Sequence, residues 1–190
     1  MDTYRYLREP KVRHQLFEWW KSLSENDFER NKVKIGKGDR ARLRRVERPE
    51  DALLTEPFFR FLHMMPPEWA LPDNILRSAL IASVLSHVDK HDDDEKMSFA
   101  TQLATPKKVT DKKPRMSVLR FQQLQKSRDP EEFFRRLLRS LQLAENPINI
   151  FSLADSIWHW MEEYRFGVNR KPTKRLSVRW ATDYYLALPK

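Results

Sequence analysis

The side chains best placed for chemistry are two histidines four residues apart, His87 and His91, followed by an acidic run at residues 92–95. Residues four apart share one face of a helix, so the two imidazoles could ligate a divalent metal beside a carboxylate. Hydrolytic helices of the His-Glu-x-x-His kind carry the general base between their ligands, and that arrangement is not met here. We interpret the pair as a solvated helix end. The alternative is a metal-dependent helical hydrolase that uses His87, His91 and Asp92.

A second candidate for chemistry is the sequence Gly-Lys-Gly-Asp at residues 36–39. It suggests a phosphate loop, but it lacks the Gly-Lys-Ser/Thr ending, and no strand is predicted before it. We expect its glycines to free the backbone and Asp39 to act as the N-cap of the following helix. No serine lies in a nucleophile elbow and no carboxylate pair stands out, so the sequence predicts no enzyme, no cofactor and no metal site.

Lysine and arginine are concentrated in two segments of the chain. Residues 30–48 hold nine of them against two acids, and residues 107–139 hold eleven against four, so each segment carries +7. The whole chain carries +9, which leaves −5 for the remaining residues. Two cationic segments on an acidic body suit a protein that holds a polyphosphate backbone at defined places.

The candidate nucleic-acid-binding residues come from these two segments. At 100° per residue, Arg40, Arg44 and Arg48 fall along one stripe of a short helix, and Leu43 and Val46 fall on the opposite side. The full set is Lys37, Arg40, Arg42, Arg44, Arg45, Arg48, Lys107, Lys108, Lys112, Lys113, Arg115, Arg120, Lys126, Arg128, Arg135, Arg136 and Arg139.

Aromatic residues are absent from residues 30–48 and from residues 107–120. Base stacking needs rings interleaved with the charges, so we do not expect it as the binding mode. The six tryptophans are interpreted as core, because most lie on apolar stripes. The pattern favours contact with the phosphate backbone and little sequence preference. A stand-alone DNA-binding protein with a recognition helix around residues 40–48 is the alternative.

The apolar spacing that must position these residues is helical almost throughout, and no window alternates with period two. Pro130, followed by two glutamates, is a strong helix start. The sequence therefore predicts an all-α fold of two packed helical bundles with roughly eight to ten helices. The clearest periodic stretches are residues 11–25, 75–84, 133–141, 151–161 and 176–188.

The best predicted domain boundary is the basic segment 107–114, which is polar, ends in a proline and lacks apolar periodicity. It would link an N-terminal bundle, residues 1–106, which carries the arginine helix, to a C-terminal bundle, residues 115–190. Zero cysteines exclude a disulfide scaffold and a thiolate zinc site. No apolar run is long enough to span a bilayer, so we expect a cytoplasmic protein without membrane contact.

Residues 38–45, Gly-Asp-Arg-Ala-Arg-Leu-Arg-Arg, resemble a motif of the CasB family, the small subunit of the type I-E CRISPR surveillance complex Cascade. The resemblance continues in order along nearly the whole chain. It includes residues 49–51, 58–62, 98–104, 119–124, 137–139, 149–160 and 178–185.

The resemblance implies an all-helical, two-bundle protein without enzymatic activity of its own. It also implies that two copies lie along the complex beside the subunits that carry the CRISPR RNA. Their basic surface would hold the target DNA strand and the displaced strand, and so stabilise the R-loop in antiviral defence. The acidic run at residues 92–95 departs from the family, and we expect it to face a protein partner.

Overall fold

The computed structural model describes residues 4–24, 35–108, 110–145 and 147–189. Within these ranges the chain forms nine α-helices, three short 3-10 helices and no strand, which confirms the predicted all-α fold. Residues 30–34 of the first basic segment and residue 109 of the predicted linker lie outside the described ranges. The α-helices are α1 (Pro10–Ser22), α2 (Lys37–Arg44), α3 (Glu56–Met64), α4 (Ile75–Leu85), α5 (Phe99–Ala104), α6 (Val118–Gln125), α7 (Pro130–Ala144), α8 (Ile150–Phe166) and α9 (Leu176–Leu186). The 3-10 helices are Pro49–Leu54, Pro67–Ala70 and Pro172–Lys174.

Helix α4 lies at the centre of the molecule. Every residue from Arg77 to Leu85 is buried, and α4 packs against α2, α3, α7 and α8. A helix that is apolar on all sides belongs inside a core rather than at a surface. These four helices therefore take their positions around α4.

One hydrophobic core joins residues from both sides of segment 107–114. It includes Trp19 of α1, Phe133 of α7 and Trp180 of α9, and α5 packs against α9. The end of the segment is also tied to the body, because the Met116 amide donates to the Leu103 carbonyl at 2.9 Å. The division of the chain into two bundles at this segment stays a prediction.

The helices of the second half begin where their capping residues predict. The Asp129 carboxylate accepts from the Glu132 amide at 2.8 Å, directly before Pro130 opens α7. The Asn149 side chain accepts from the Ser152 amide at 2.9 Å at the start of α8. These caps fix the first residues of the two longest helices, so the predicted start of α7 is confirmed.

Helix α2 begins earlier than predicted. Its first residue is Lys37 and its N-cap is Gly36, so the assignment of Asp39 as N-cap is wrong. Asp39 lies in the first turn instead, where its charge suits the positive end of the helix dipole. It is buried and accepts two hydrogen bonds, of 2.9 and 3.0 Å, from the Arg60 guanidinium of α3. This contact attaches α2 to α3.

The docking of α2 depends on Leu43, which is fully buried. We expect Leu43→Ala to lower the free energy of unfolding by about 2–5 kcal/mol, because it leaves a cavity in the core. The matched control is Leu54→Ala, since Leu54 is 88% exposed and surface changes cost within about 0.5 kcal/mol. Denaturant unfolding measures both, and equal losses in the two variants would contradict the described packing.

Candidate nucleic-acid interface

The apolar side of α2 docks onto the body as the periodicity predicted. Leu43 and Val46 are both buried. The opposite stripe, however, does not point freely into solvent. The side chains of Arg40 and Arg44 fold back over the end of α4, and only 12% of the Arg40 side chain and 36% of the Arg44 side chain are exposed.

These two arginines form a compact group that we name the arginine clasp: Arg40, Arg44, Asp89 and the carbonyls of Ser86 and Val88. Arg40 donates to the Ser86 carbonyl at 2.9 Å and to the Val88 carbonyl at 2.6 Å, and Arg44 donates to the Ser86 carbonyl at 2.7 Å. The Asp89 carboxylate pairs with Arg40 at 2.6 Å and with Arg44 at 2.7 Å. Ser86 is the C-cap of α4 and Val88 lies in the turn after it, so the clasp satisfies the carbonyls of this turn and places two cations at the negative end of the helix dipole.

The structure divides the seventeen candidate cations into two groups. Eight are engaged within the protein, through ion pairs or backbone carbonyls: Arg40, Arg42, Arg44, Arg48, Lys107, Arg115, Arg135 and Arg136. Nine are exposed and form no ion pair within the described ranges: Lys37, Arg45, Lys108, Lys112, Lys113, Arg120, Lys126, Arg128 and Arg139. The second group holds the cations most available to an external anion.

Cations from two helices meet in a cleft between α6 and α7, which we name the α6–α7 cleft. Its volume is about 420 Å³, and its charged lining consists of Arg120, Arg136 and Arg139 without an acidic residue. Arg120 and Arg139 are exposed, whereas Arg136 donates to the Gln123 carbonyl and pairs with Glu132 at 2.6 Å. A concave surface lined by guanidinium groups suits a phosphate, because a guanidinium can donate two parallel N–H hydrogen bonds to the phosphate oxygens.

Helix α7 presents these arginines because it is strongly amphipathic. Phe133, Phe134 and Leu137 are fully buried, while Arg135 and Arg139 are exposed on the other side. The apolar periodicity of residues 133–141 predicted an amphipathic helix here, and the structure confirms it. The core contacts of the phenylalanines thus determine which way the arginines point.

Sequence reasoning did not include a third cationic segment among the candidates. Between Val168 and Leu176 the chain carries four cations and no acid: Arg170, Lys171, Lys174 and Arg175. The first three are exposed. Four cations in six residues could have indicated this segment from the sequence. The segment is short, however, and contributes little to a charge count over longer windows.

The predicted solvated helix end at His87 and His91 is wrong. Helix α4 ends at Leu85, so the two histidines do not share a helix face. The His91 ring packs against Phe17 and Phe151, with centroid separations of 5.6 and 4.9 Å. The Ile150 amide donates to His91 Nδ1 at 3.2 Å. His91 therefore has a structural role between α1 and α8.

His87 lies beside the arginine clasp. Burial, followed by the charges of Arg44 and Arg40, lowers its pKa to about 4, so the ring is neutral at pH 7. Burial also lowers the pKa of His91. In the described part of the chain, no three or more histidine and carboxylate side chains lie close enough to hold a metal ion. The geometry there gives the hydrolase alternative no support.

These features define a class of protein: a small, all-helical chain that presents a cationic cleft. None of its described helices is long and apolar enough to cross a membrane. Residues 39–185, more than three quarters of the chain, match the family described as CRISPR-associated protein Cse2. The chain therefore belongs to the Cse2 family, the CasB small subunits of type I-E Cascade, and the resemblance found in the sequence is confirmed. No curated protein and no solved structure matches the chain.

The clasp predicts different roles for neighbouring arginines of α2. Arg40→Ala should lower the free energy of unfolding by about 1–3 kcal/mol, because it leaves the Ser86 and Val88 carbonyls and Asp89 short of a donor. The control is Arg45→Ala at an exposed position, which should change stability by no more than about 0.5 kcal/mol. Urea unfolding compares the two variants, and an Arg40→Ala protein as stable as the control would show that the clasp contributes nothing.

The lowered pKa of His87 predicts that stability decreases on acidification. Between pH 6.5 and about 4 the unfolded chain binds a proton that the folded ring does not, so stability is full above pH 6.5 and falls as the pH drops. The effect of His87 is at most about 3 kcal/mol. Thermal melting from pH 7.5 to 4.5 measures it: His87→Gln should flatten the dependence, and exposed His14→Gln should not. Identical pH profiles for His87→Gln and the unsubstituted protein would contradict the assignment.

Proposed function

We propose that this Cascade subunit binds the sugar–phosphate backbone of the target strand and the displaced strand, and that it has no catalytic role. The observation that carries the proposal is the α6–α7 cleft, where three arginines meet without an acid in the lining. Each phosphate that a cation neutralises releases condensed counterions, which is the main source of sequence-independent affinity. The absence of aromatic rings from the first basic segment supports backbone contact there.

Other available cations lie outside the cleft and could add phosphate contacts. Lys126 and Arg128 follow α6 directly, and both are exposed. Lys37 at the start of α2 and Arg45, its C-cap, are exposed and form no ion pair in the described ranges. In this proposal these two residues bind phosphate, while Arg40 acts by positioning α2 on the end of α4.

Backbone contacts of this kind are sufficient to affect an R-loop. The RNA–DNA duplex that forms is about as stable as the DNA duplex that it replaces, so the exchange is nearly balanced. A few phosphate contacts to the displaced strand then shift the equilibrium toward the open state. The proposed role needs no sequence reading, because the guide RNA supplies the specificity.

The expected protein contacts of the subunit also remain proposals. Four exposed apolar side chains lie on α6 and α9: Val118, Leu119, Tyr185 and Leu186. The Gln122 amide bonded to the Tyr185 hydroxyl at 3.2 Å joins these two helices. Grouped apolar side chains at a surface mark protein contacts. We propose that this surface and the acidic run 92–95 contact a second copy of the chain or the CRISPR RNA-bearing subunits in the cytoplasm.

The experiment is target-DNA retention by the assembled complex over a salt series. With Arg120→Gln and Arg139→Gln combined, retention should fall for every target sequence, and the log–log salt slope should decrease by roughly 1 for each phosphate that the variant no longer binds. Arg135→Gln is the matched control, since it removes the same kind of charge from the α7 surface but lies outside the cleft lining.

Thermal melting and co-elution with the other subunits check that the double variant folds and assembles. A folded, assembled double variant that retains DNA with an unchanged salt slope would contradict the proposed function of the cleft. A loss of retention equal to that of Arg135→Gln would assign the effect to overall charge and contradict the site.

A further inference from the structure

Three aromatic rings form a parallel stack that runs from the core to the surface. Phe133 of α7 stacks on Trp160 of α8 with a centroid separation of 4.2 Å and an interplanar angle of 9°. Trp160 in turn stacks on Tyr164 at 5.3 Å and 8°. Phe133 is fully buried, Trp160 is 8% exposed and Tyr164 is 52% exposed. The stack therefore ends in a ring that solvent can reach and that its neighbours hold in place.

Tyr164 borders a cleft between α6, α8 and α9. Trp160, Trp180 and Leu176 provide apolar walls, and Gln125 and Ser127 provide polar ones. Its volume is about 230 Å³, several times the roughly 30 Å³ that one water occupies in the liquid. The cleft can therefore accept a flat organic ring with a polar edge.

Exposed cations adjoin two of the chain segments that line this cleft. Val168 and Leu176 both line it, and the segment between them is the cationic segment 170–175 described above. Gln125 and Ser127 also line the cleft, and the exposed Lys126 and Arg128 belong to the same turn.

The one acid in the lining, Glu163, already has partners. It accepts from the Leu176 amide at 3.0 Å and lies 3.1 Å from the His159 ring. The burial of Glu163 raises its pKa, but its hydrogen bonds to His159 and Leu176 outweigh this and leave the pKa below its ordinary value. It is thus ionised at neutral pH, and its Oε1 is held by these internal contacts. The cations on the rim outnumber it.

We propose that this cleft binds an unpaired base of single-stranded nucleic acid against Tyr164, while the rim cations hold the flanking phosphates. Stacking on aromatic rings beside a cationic track is the general mode of sequence-tolerant single-strand binding. The charge decides the occupant, because an aromatic side chain of a protein partner would not call for cations in two of the segments that line the cleft. The proposal rests on the proposed function in that the strand is one that the R-loop exposes.

Such a site differs from the phosphate contacts of the α6–α7 cleft. No base stacking was expected from the sequence, since residues 30–48 and 107–120 contain no aromatic ring. The fold supplies the ring from elsewhere, because Tyr164 on α8 is brought beside the turn after α6. A base at Tyr164 would add affinity that depends on the presence of bases but little on their identity.

The experiment compares two single-stranded probes on the isolated full chain: oligodeoxythymidine and an abasic oligonucleotide of the same length and charge. The proposal predicts that the unsubstituted protein binds oligodeoxythymidine on the order of tenfold more tightly. Tyr164→Leu should remove this preference and leave the abasic affinity unchanged, whereas Tyr164→Phe should keep it. Phe166→Ala is the matched control, since it removes another exposed ring, 64% exposed, at the end of the same helix.

The outcomes separate this proposal from the function proposed above. Equal binding of both probes by the unsubstituted protein overturns base stacking and leaves backbone binding intact. Failure to bind either probe at low salt contradicts both. A Tyr164→Leu chain that keeps the full preference for bases overturns the site. If the Tyr164→Leu chain keeps this preference and also fails to assemble with the other subunits, the cleft is a protein contact and the proposed site is overturned.

Discussion

The carboxyl end of α4 is the point on which the rest of the structure depends. The turn that follows α4 is buried at Ser86, its C-cap, and at Val88, so the carbonyls of these two residues need donors from elsewhere in the fold. Arg40 and Arg44 supply them from α2, and the Trp20 indole adds a hydrogen bond of 2.9 Å to the Val88 carbonyl from α1. One requirement, the satisfaction of buried backbone oxygens, thereby joins α1, α2 and α4 and determines which surface α2 presents.

This constraint divides the arginines of one cationic motif by role. Arg40 is largely withdrawn from solvent, whereas Arg45 in the next turn is exposed. A guanidinium that donates to internal carbonyls can bind an external phosphate only by breaking those hydrogen bonds. The free-energy cost is comparable to that of leaving buried acceptors unpaired. The cationic surface available to an external anion is therefore smaller than the net charge suggests, and the function proposed above places DNA at α6 and α7.

Much of the fold could be predicted from local signals, but the roles of individual polar groups could not. The period of the apolar residues predicted the buried side of α2 with Leu43, and Pro130 marked the start of α7. Periodicity also placed Arg40 on the outer stripe of α2, but it does not tell where a long side chain ends. That depends on Ser86 and Asp89, more than forty residues away. The same holds for Tyr164, since only the tertiary fold brings its ring into one cleft with Gln125 and Ser127 of the turn that follows α6.

The central claim is that DNA phosphates bind in the α6–α7 cleft while the arginine clasp stays closed. A structure of the assembled Cascade complex bound to target DNA tests both parts of this claim. It gives the distance from the cleft arginines to the nearest phosphate oxygen and the distance from Arg40 to the Ser86 carbonyl. The account predicts a phosphate oxygen within hydrogen-bond distance, about 3 Å, of Arg120 or Arg139, with Arg40 still on the Ser86 carbonyl. DNA that runs past α2 with Arg40 turned onto a phosphate, and with no strand at the α6–α7 cleft, would contradict it.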